Sequence, residues 1–242
     1  CQFDIAKPVL DDYGLQGFFF VYSSPMRGDG GTLEIDRYFR TTQFEDIDEF
    51  YTQYFGLCAQ LLGKTYIEEE KKYGKLGQYL REFVFYSKND RWFRYLRDRV
   101  LSGGQYASLM RTLMNECKFD ANKARKNLWL SDEHLENLQQ SNHIVGLHSF
   151  NHPTCIHMLT EEEQRKEYKD NLAHLSSLVH GLPINSMSHP NGNYNSVTLR
   201  ILREIGVKVG FRSNMGVRSV NSLLEIPRED HANIARAMGL CK

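Results

Sequence analysis

The chain has 242 residues, 41% of them hydrophobic and 25% charged, a globular mix long enough to bury one large core or two modest ones. Thirty basic and thirty acidic residues cancel, so the broad basic face needed for non-specific nucleic-acid binding is lacking, and no apolar run reaches the roughly 18 residues of a membrane span. The five cysteines, at 1, 58, 117, 155 and 241, form no CxxC pair; they read as free thiols in a reducing compartment, which leans toward the cytoplasm, and not as a disulfide framework or a cysteine zinc site.

The opening Cys1-Gln2-Phe3-Asp4 carries no basic-then-apolar leader, so no signal peptide is expected, and the true start of the protein need not be this residue. Residues 3 to 13 read as a helix with Ile5, Val9 and Leu10 on one face, Pro8 in its first turn and Gly14 as C-cap. Residues 16 to 22, rich in Phe and Val and bounded by Gly14 and Ser23-Ser24-Pro25, predict a buried strand. A helix followed by a strand is half of a βαβ unit, whose other strand is expected before residue 1, parallel to 16–22. Residues 24 to 44, with Gly28, Gly30 and Gly31, read as a loop. From 45 to about 118 the spacing turns helical: Phe50, Tyr54, Cys58 and Leu61/Leu62, then Trp92, Tyr95, Leu96 and Val100, then Leu109, Leu113 and Cys117.

The strand–helix rhythm returns at Leu130. Ser131 is an N-cap with Asp132 and Glu133 behind it, Leu135 and Leu138 face inward, and Asn142 closes the helix. A strand follows at 143–147. Thr160-Glu161-Glu162-Glu163 is a capping-box start for a helix reaching His180, with Tyr168, Leu172, Leu175 and Val179 inward and Gly181 and Pro183 as its stop. Strands at 184–188, 207–211 and 223–226 and a helix at 196–204, with Gly206 behind it, complete the alternation. The pattern predicts an α/β fold with a largely parallel sheet. The expected domains are 1–23 with 128–242, interrupted by a mainly helical insertion at 24–127. The insertion's aromatic stripes read as core, or else as a lid that stacks on sugars.

Functional groups in parallel α/β folds gather just past the carboxyl ends of strands. That rule selects residues 148–153, 188–195 and 227–231. In the first, His148 and His152 stand four apart across a turn. They either converge on a divalent cation, which would need a carboxylate from elsewhere, or are hydrogen-bonded histidines in a buried turn.

His148-Ser149-x-x-His152-Pro153 resembles the second motif of the polysaccharide deacetylase (NodB-homology) family of carbohydrate esterases. Three other stretches agree. Ala6-x-Pro8-Val9-Leu10-x-x-Tyr13-Gly14-Leu15-x-Gly17-Phe18-Phe19-Phe20-Val21 is similar to the family's first helix and second strand. Leu130-Ser131-x-x-x-Leu135-x-x-Leu138 with Asn142-His143-x-Val145-Gly146-Leu147-His148 resembles the approach to the second motif. Pro190-x-Gly192-x-Tyr194-Asn195 resembles the third motif in a variant without its usual arginine, Ser188 standing in that place. The resemblance covers about 3–22 and 128–230.

It implies a distorted (β/α) barrel with a helical insertion, a carbohydrate substrate, and removal of N- or O-acetyl groups with a divalent metal, expected to be zinc. His148 and His152 match the two histidine ligands. Asn191 matches the residue whose backbone N–H serves the oxyanion, and Pro190 and Tyr194 of the same motif are assigned to the substrate. Arg228 and Asp230 resemble a variant with a Pro-Arg pair beside the catalytic carboxylate, or form a surface ion pair. His231 is a candidate general acid, although nothing matches the family's Leu-His motif. The family's first motif, Thr-Phe-Asp-Asp-Gly, which supplies the base and the third metal ligand, is absent. Asp11-Asp12 does not replace it, because the two lie on a helix and point apart. The expectation is a fragment whose aspartates precede residue 1 and which is inactive alone. The alternatives are a non-catalytic sugar-binding relative and a hydrolase of another small amide. Sequence does not reveal the oligomeric state.

Overall fold

The computed structural model describes residues 2–28, 33–76, 79–81, 86–126, 128–179, 183–216 and 220–240. Cys1, Gly30, Gly31, His180, Gly181 and Cys241, invoked above, lie outside the described residues. In chain order the elements are α1 (Lys7–Asp12), β1 (Phe18–Val21), α2 (Leu33–Thr42), α3 (Ile47–Leu62), α4 (Lys64–Leu76), α5 (Lys88–Tyr95), α6 (Gly103–Glu116), α7 (Ala121–Arg125), α8 (Asp132–Gln140), β2 (Ile144–Leu147), α9 (Glu161–Leu178), β3 (Ser186–Ser188), α10 (Ser196–Glu204), β4 (Val209–Phe211) and α11 (His231–Ala237). They fall into two compact units, one of residues 1–31 with 129–242 and one of residues 32–128.

The first unit is built on a parallel sheet of order β1-β2-β3-β4, the α/β arrangement expected from the alternation. Register assigns the faces. Phe19 pairs with Val145, and Val21 with Leu147, which pairs with Met187. These residues share one face and are buried with Leu135 and Leu138 of α8, Tyr168 and Leu175 of α9, and Ile201 and Leu202 of α10. The opposite face carries Phe18, Phe20 and Phe211, in ring contact at 5.3 to 5.8 Å, beside the buried Ser186 and Ser188. Gly146 lies between them because a Cβ there would stand 2.7 Å from both the Phe20 ring and Ser186 Oγ. Among the described residues, no strand pairs the outer edge of β1.

Capping follows the sequence closely. Ser131, Thr160 and Asn195 each form a reciprocal capping box, for α8, α9 and α10. Asn142 adopts a left-handed φ of 64° two residues before β2. At the base of the sheet, His143 Nδ1 accepts the Gly17 N–H at 3.0 Å while Nε2 donates to Asp11 Oδ1 at 2.9 Å. One imidazole thereby ties α1, β1 and β2 together.

Three local expectations are corrected. Residues 33–42 of the supposed loop are helix α2, because Ile35 and Phe39, one turn apart, are both buried; the glycines precede the helix and do not interrupt it. Residues 223–226 are not a strand. Leu223–Glu225 is a 3₁₀ turn, and only Ile226 bridges to Phe211. In the first helix, a π-helical turn (Gln2–Ala6) continued by α1, Phe3 and Leu10 pack on the core while Ile5 and Val9 are exposed.

In the second unit, Phe50, Tyr54 and Cys58 of α3, Trp92 and Tyr95 of α5, and Leu109 and Leu113 of α6 are buried as their spacing predicts. Leu61 is exposed. Arg40 and Arg94 share Asp90 at 3.3 and 3.1 Å, and the Arg40 guanidinium lies 4.9 Å over the Phe93 ring, so charge is neutralised where it is removed from water.

Gly210 sets how closely the chain after β4 returns: a Cβ there would stand 2.6 Å from the Leu224 carbonyl oxygen and 2.9 Å from its Cα. Gly210→Ala is expected to cost about 1–3 kcal/mol through backbone overpacking; an unchanged urea midpoint would contradict this account of the 210–226 contact.

Candidate metal centre

Strand β2 delivers His148 to its carboxyl end. The His148 Nδ1–H donates to the Ser188 carbonyl at the end of β3, at 2.7 Å. That bond selects the tautomer with a free lone pair on Nε2. The chain then turns through Ser149 and His152, both left-handed at φ 64° and 55°, and the His152 Nε2 arrives 3.1 Å from the His148 Nε2. The ring centroids are 4.7 Å apart. Two nitrogens bound at about 2.05 Å on a tetrahedral ion stand roughly 3.3 Å apart, so this pair is spaced as neighbouring ligands. Among the described residues, no cluster of three or more His, Cys, Asp or Glu side chains is placed to hold a metal ion. The residues present therefore fit two positions of a coordination shell and leave the others open.

Burial pushes the His148 pKa down to about 3, helped by His152 and by the charge of Arg228. The charge of Arg228 is therefore felt at His148. His189 is likewise held neutral, its pKa lowered to about 4 chiefly by burial. Its Nε2–H donates to the Leu224 carbonyl at 2.8 Å and its ring stacks on Tyr194 at 4.3 Å. Tyr194 donates to Glu225 at 3.0 Å and accepts from Arg212 at 3.1 Å.

Pro190, Asn191 and Gly192 form a 3₁₀ turn in which the Gly192 N–H donates to the His189 carbonyl and Asn191 is left-handed at φ 51°. Pro190 is buried, and the Asn191 side-chain nitrogen, Nδ2, is buried without a partner. Asp230 caps α11 by accepting the Ala232 N–H at 2.9 Å, and the His231 side chain is 95% exposed. Asp11 is engaged by Lys7 and His143, both of which lower its pKa, Lys7 most; it belongs to the base of the sheet.

Several residues that shape the site escaped the sequence reading. Asn171 of α9 is fully buried. Its Oδ1 accepts the His148 backbone N–H at 3.0 Å, and its Nδ2 donates to the Val21 carbonyl at 3.0 Å and to Ser23 Oγ at 2.8 Å. Glu167, one turn earlier, accepts the N–H groups of Phe150 and Asn151 on one oxygen and the Asn151 side-chain amide on the other, at 2.7 to 3.0 Å. Tyr22 packs on His152 at 5.3 Å and receives the Trp129 indole N–H at 2.7 Å. The polar residues at 164, 167, 171 and 174 lie at the helical spacing of an inward face, and only that spacing signals that some of them act in the interior.

Residues 109–210, which include both histidines and the Pro190 turn, match the polysaccharide deacetylase family. The family resemblance read from the motifs is thereby found by an independent comparison, and the parallel α/β sheet agrees with its distorted-barrel class. Among solved structures, the chain is similar to the Streptococcus pyogenes deacetylase PplD in complex with acetate, at 19% identity over 57% of this chain and 70% of that one, with a TM-score of 0.39. It is also similar to the BpsB deacetylase domain from Bordetella bronchiseptica, at 18% identity over 43% and 49%, TM-score 0.37. A third similarity is to IcaB from Ammonifex degensii, at 20% identity over 46% and 52%, TM-score 0.39. A search of curated proteins finds no match.

A histidine whose pKa falls on folding is protonated more in the unfolded chain, so stability declines as pH drops below the unfolded value of 6.5. For His189, with its folded value near 4, the loss reaches up to about 2 kcal/mol by pH 5. His189→Gln is expected to flatten the fall of the urea midpoint between pH 6.5 and 5. A midpoint with the same pH slope in the variant would show that His189 is not the group being titrated.

Proposed function

We propose that the chain carries a metal-dependent hydrolase that removes acetyl groups from N-acetylated sugars of a bacterial glycan or its precursor. The observation that supports this reading most directly is the 3.1 Å approach of the two imidazole Nε2 atoms beyond the carboxyl end of β2. In this reading His148 and His152 occupy two ligand positions of a divalent ion, zinc by its preference for imidazole nitrogen. Such an ion, when bound, supplies Lewis acidity toward the acetyl carbonyl and lowers the pKa of a water.

The remaining roles belong to the chain's own groups. Ser188 holds His148 in the tautomer that presents a lone pair. Arg228 places positive charge beside His148 and thereby opposes its protonation, keeping that lone pair available. The left-handed Asn191 turn offers a backbone N–H toward developing negative charge on the substrate oxygen. Pro190 and Tyr194 shape the substrate side of the same turn. Asp230 is already used as a helix cap and His231 faces solvent, so the proton donor to the leaving amine is not assigned to them. The insertion of residues 24–127 is proposed to select the substrate.

A second reading, a sugar-binding relative without catalysis, is favoured by one observation: among the described residues, no third ligand joins the pair.

His148→Ala and His152→Ala are each expected to lower zinc retention and acetate release from N-acetylated oligosaccharides together, by at least about tenfold. Zinc content by elemental analysis that is unchanged in both variants rejects the ligand assignment. Oligosaccharide binding by calorimetry with no acetate release, with or without added zinc, selects the second reading.

A further inference from the structure

The turn that brings the two imidazoles together is conformationally unfavourable. Ser149 and His152 both take left-handed φ angles, uncommon for residues other than glycine, asparagine, aspartate and histidine, and at a non-glycine residue costing of order 1 kcal/mol or more, the larger cost falling on Ser149. Such a conformation persists only where its surroundings over-determine it. Within the turn, Ser149 Oγ accepts the His152 N–H at 3.1 Å. The Phe150 carbonyl accepts the Ser24 N–H at 3.0 Å, Tyr22 packs on His152, and the other side-chain bonds to the backbone N–H groups of the turn come from one helix. Glu167 takes the N–H groups of the two residues between the left-handed positions, and Asn171 takes the N–H of His148. Glu167 and Asn171 are four apart, hence stacked on one face of α9. Asn171 also holds the end of β1 through Val21 and Ser23.

We infer that Glu167 and Asn171 are positioning residues: a carboxylate–amide clamp on α9 that holds the 148–152 turn in its left-handed form and so aims both imidazole Nε2 atoms at one point. The inference rests on the metal-ligand reading for its purpose, though its geometry stands without it. Backbone-amide ligation by a carboxylate is charge-assisted, and residues that orient metal ligands typically change affinity 10–100-fold when removed.

The test compares Glu167→Ala, Glu167→Gln and Asn171→Ala with Glu163→Ala in the full chain. Glu163 completes the capping box of the same helix and touches none of the turn, so its loss weakens α9 without removing the clamp. The first readout, taken without metal, is the nuclear Overhauser contact between the His148 and His152 rings. The second is zinc affinity by chelator competition. Glu167→Ala and Asn171→Ala are expected to lose the ring contact and to weaken zinc binding at least about tenfold. Glu167→Gln, which keeps an acceptor for both N–H groups, and Glu163→Ala are expected to retain both. The inference is overturned if Glu167→Ala keeps the ring contact, or if Glu163→Ala loses as much as Glu167→Ala. Should Asn171→Ala fail to fold, the half-exposed Glu167 decides alone. If the wild-type chain shows no histidine-dependent zinc binding, the hydrolase reading fails, and the ring contact still decides the clamp.

Discussion

A hydrogen bond from His148 Nδ1 to the Ser188 carbonyl joins the carboxyl ends of β2 and β3, and the chemistry available at that end of the sheet follows from it. With the proton committed to Nδ1, the lone pair of Nε2 faces the His152 Nε2 at 3.1 Å. Burial reinforces the choice by disfavouring the imidazolium form. The Ser188 hydroxyl is buried without a partner, so this residue contributes to the site through its main chain. The neighbouring His189 repeats the device, giving its Nε2–H to the Leu224 carbonyl. Two adjacent strand ends thus each carry a neutral histidine pinned by a backbone oxygen.

Helix α9 connects this bond to the rest of the fold. Its apolar residues Tyr168 and Leu175 are buried in the sheet core, while Gln164, Glu167 and Asn171 reach polar partners near the strand ends. Gln164 accepts from Thr198 of α10 at 2.6 Å. Burying such groups is tolerated only because each is hydrogen-bonded. Packing on the core and restraint of the turn are therefore supplied by opposite requirements of one helix surface.

The helical unit is organised by different physics. Its core is a chain of ring contacts through Phe39, Phe50, Tyr54 and Phe93, bordered by arginine–aspartate pairs. Tyr95 donates to Glu69 at 2.7 Å and Trp92 donates to Tyr66 at 3.2 Å, so the polar ends of these two rings are satisfied within the unit. The aromatic stripes expected either as core or as a stacking surface are, in this arrangement, largely core.

Amphipathic spacing and capping residues were sufficient to locate most helices from sequence. Leu135 with Leu138, and Tyr168 with Leu175, declare an inner face, and Ser131 and Thr160 declare a start, because these are local properties of three to four consecutive residues. The strands 144–147, 186–188 and 209–211 were legible for the same reason, and the two histidines stood out by their position after one of them. Tertiary structure alone decided that 33–42 is helical despite the glycines before it, and that 223–226 is held by a close backbone approach at Gly210 instead of a full strand. It alone decided the direction of the His148 nitrogens, since tautomer and ring orientation depend on Ser188, forty residues away. The partners of Asn171 and Glu167 were not legible in sequence, because a polar residue on a helix looks solvated until the fold buries its partner beside it.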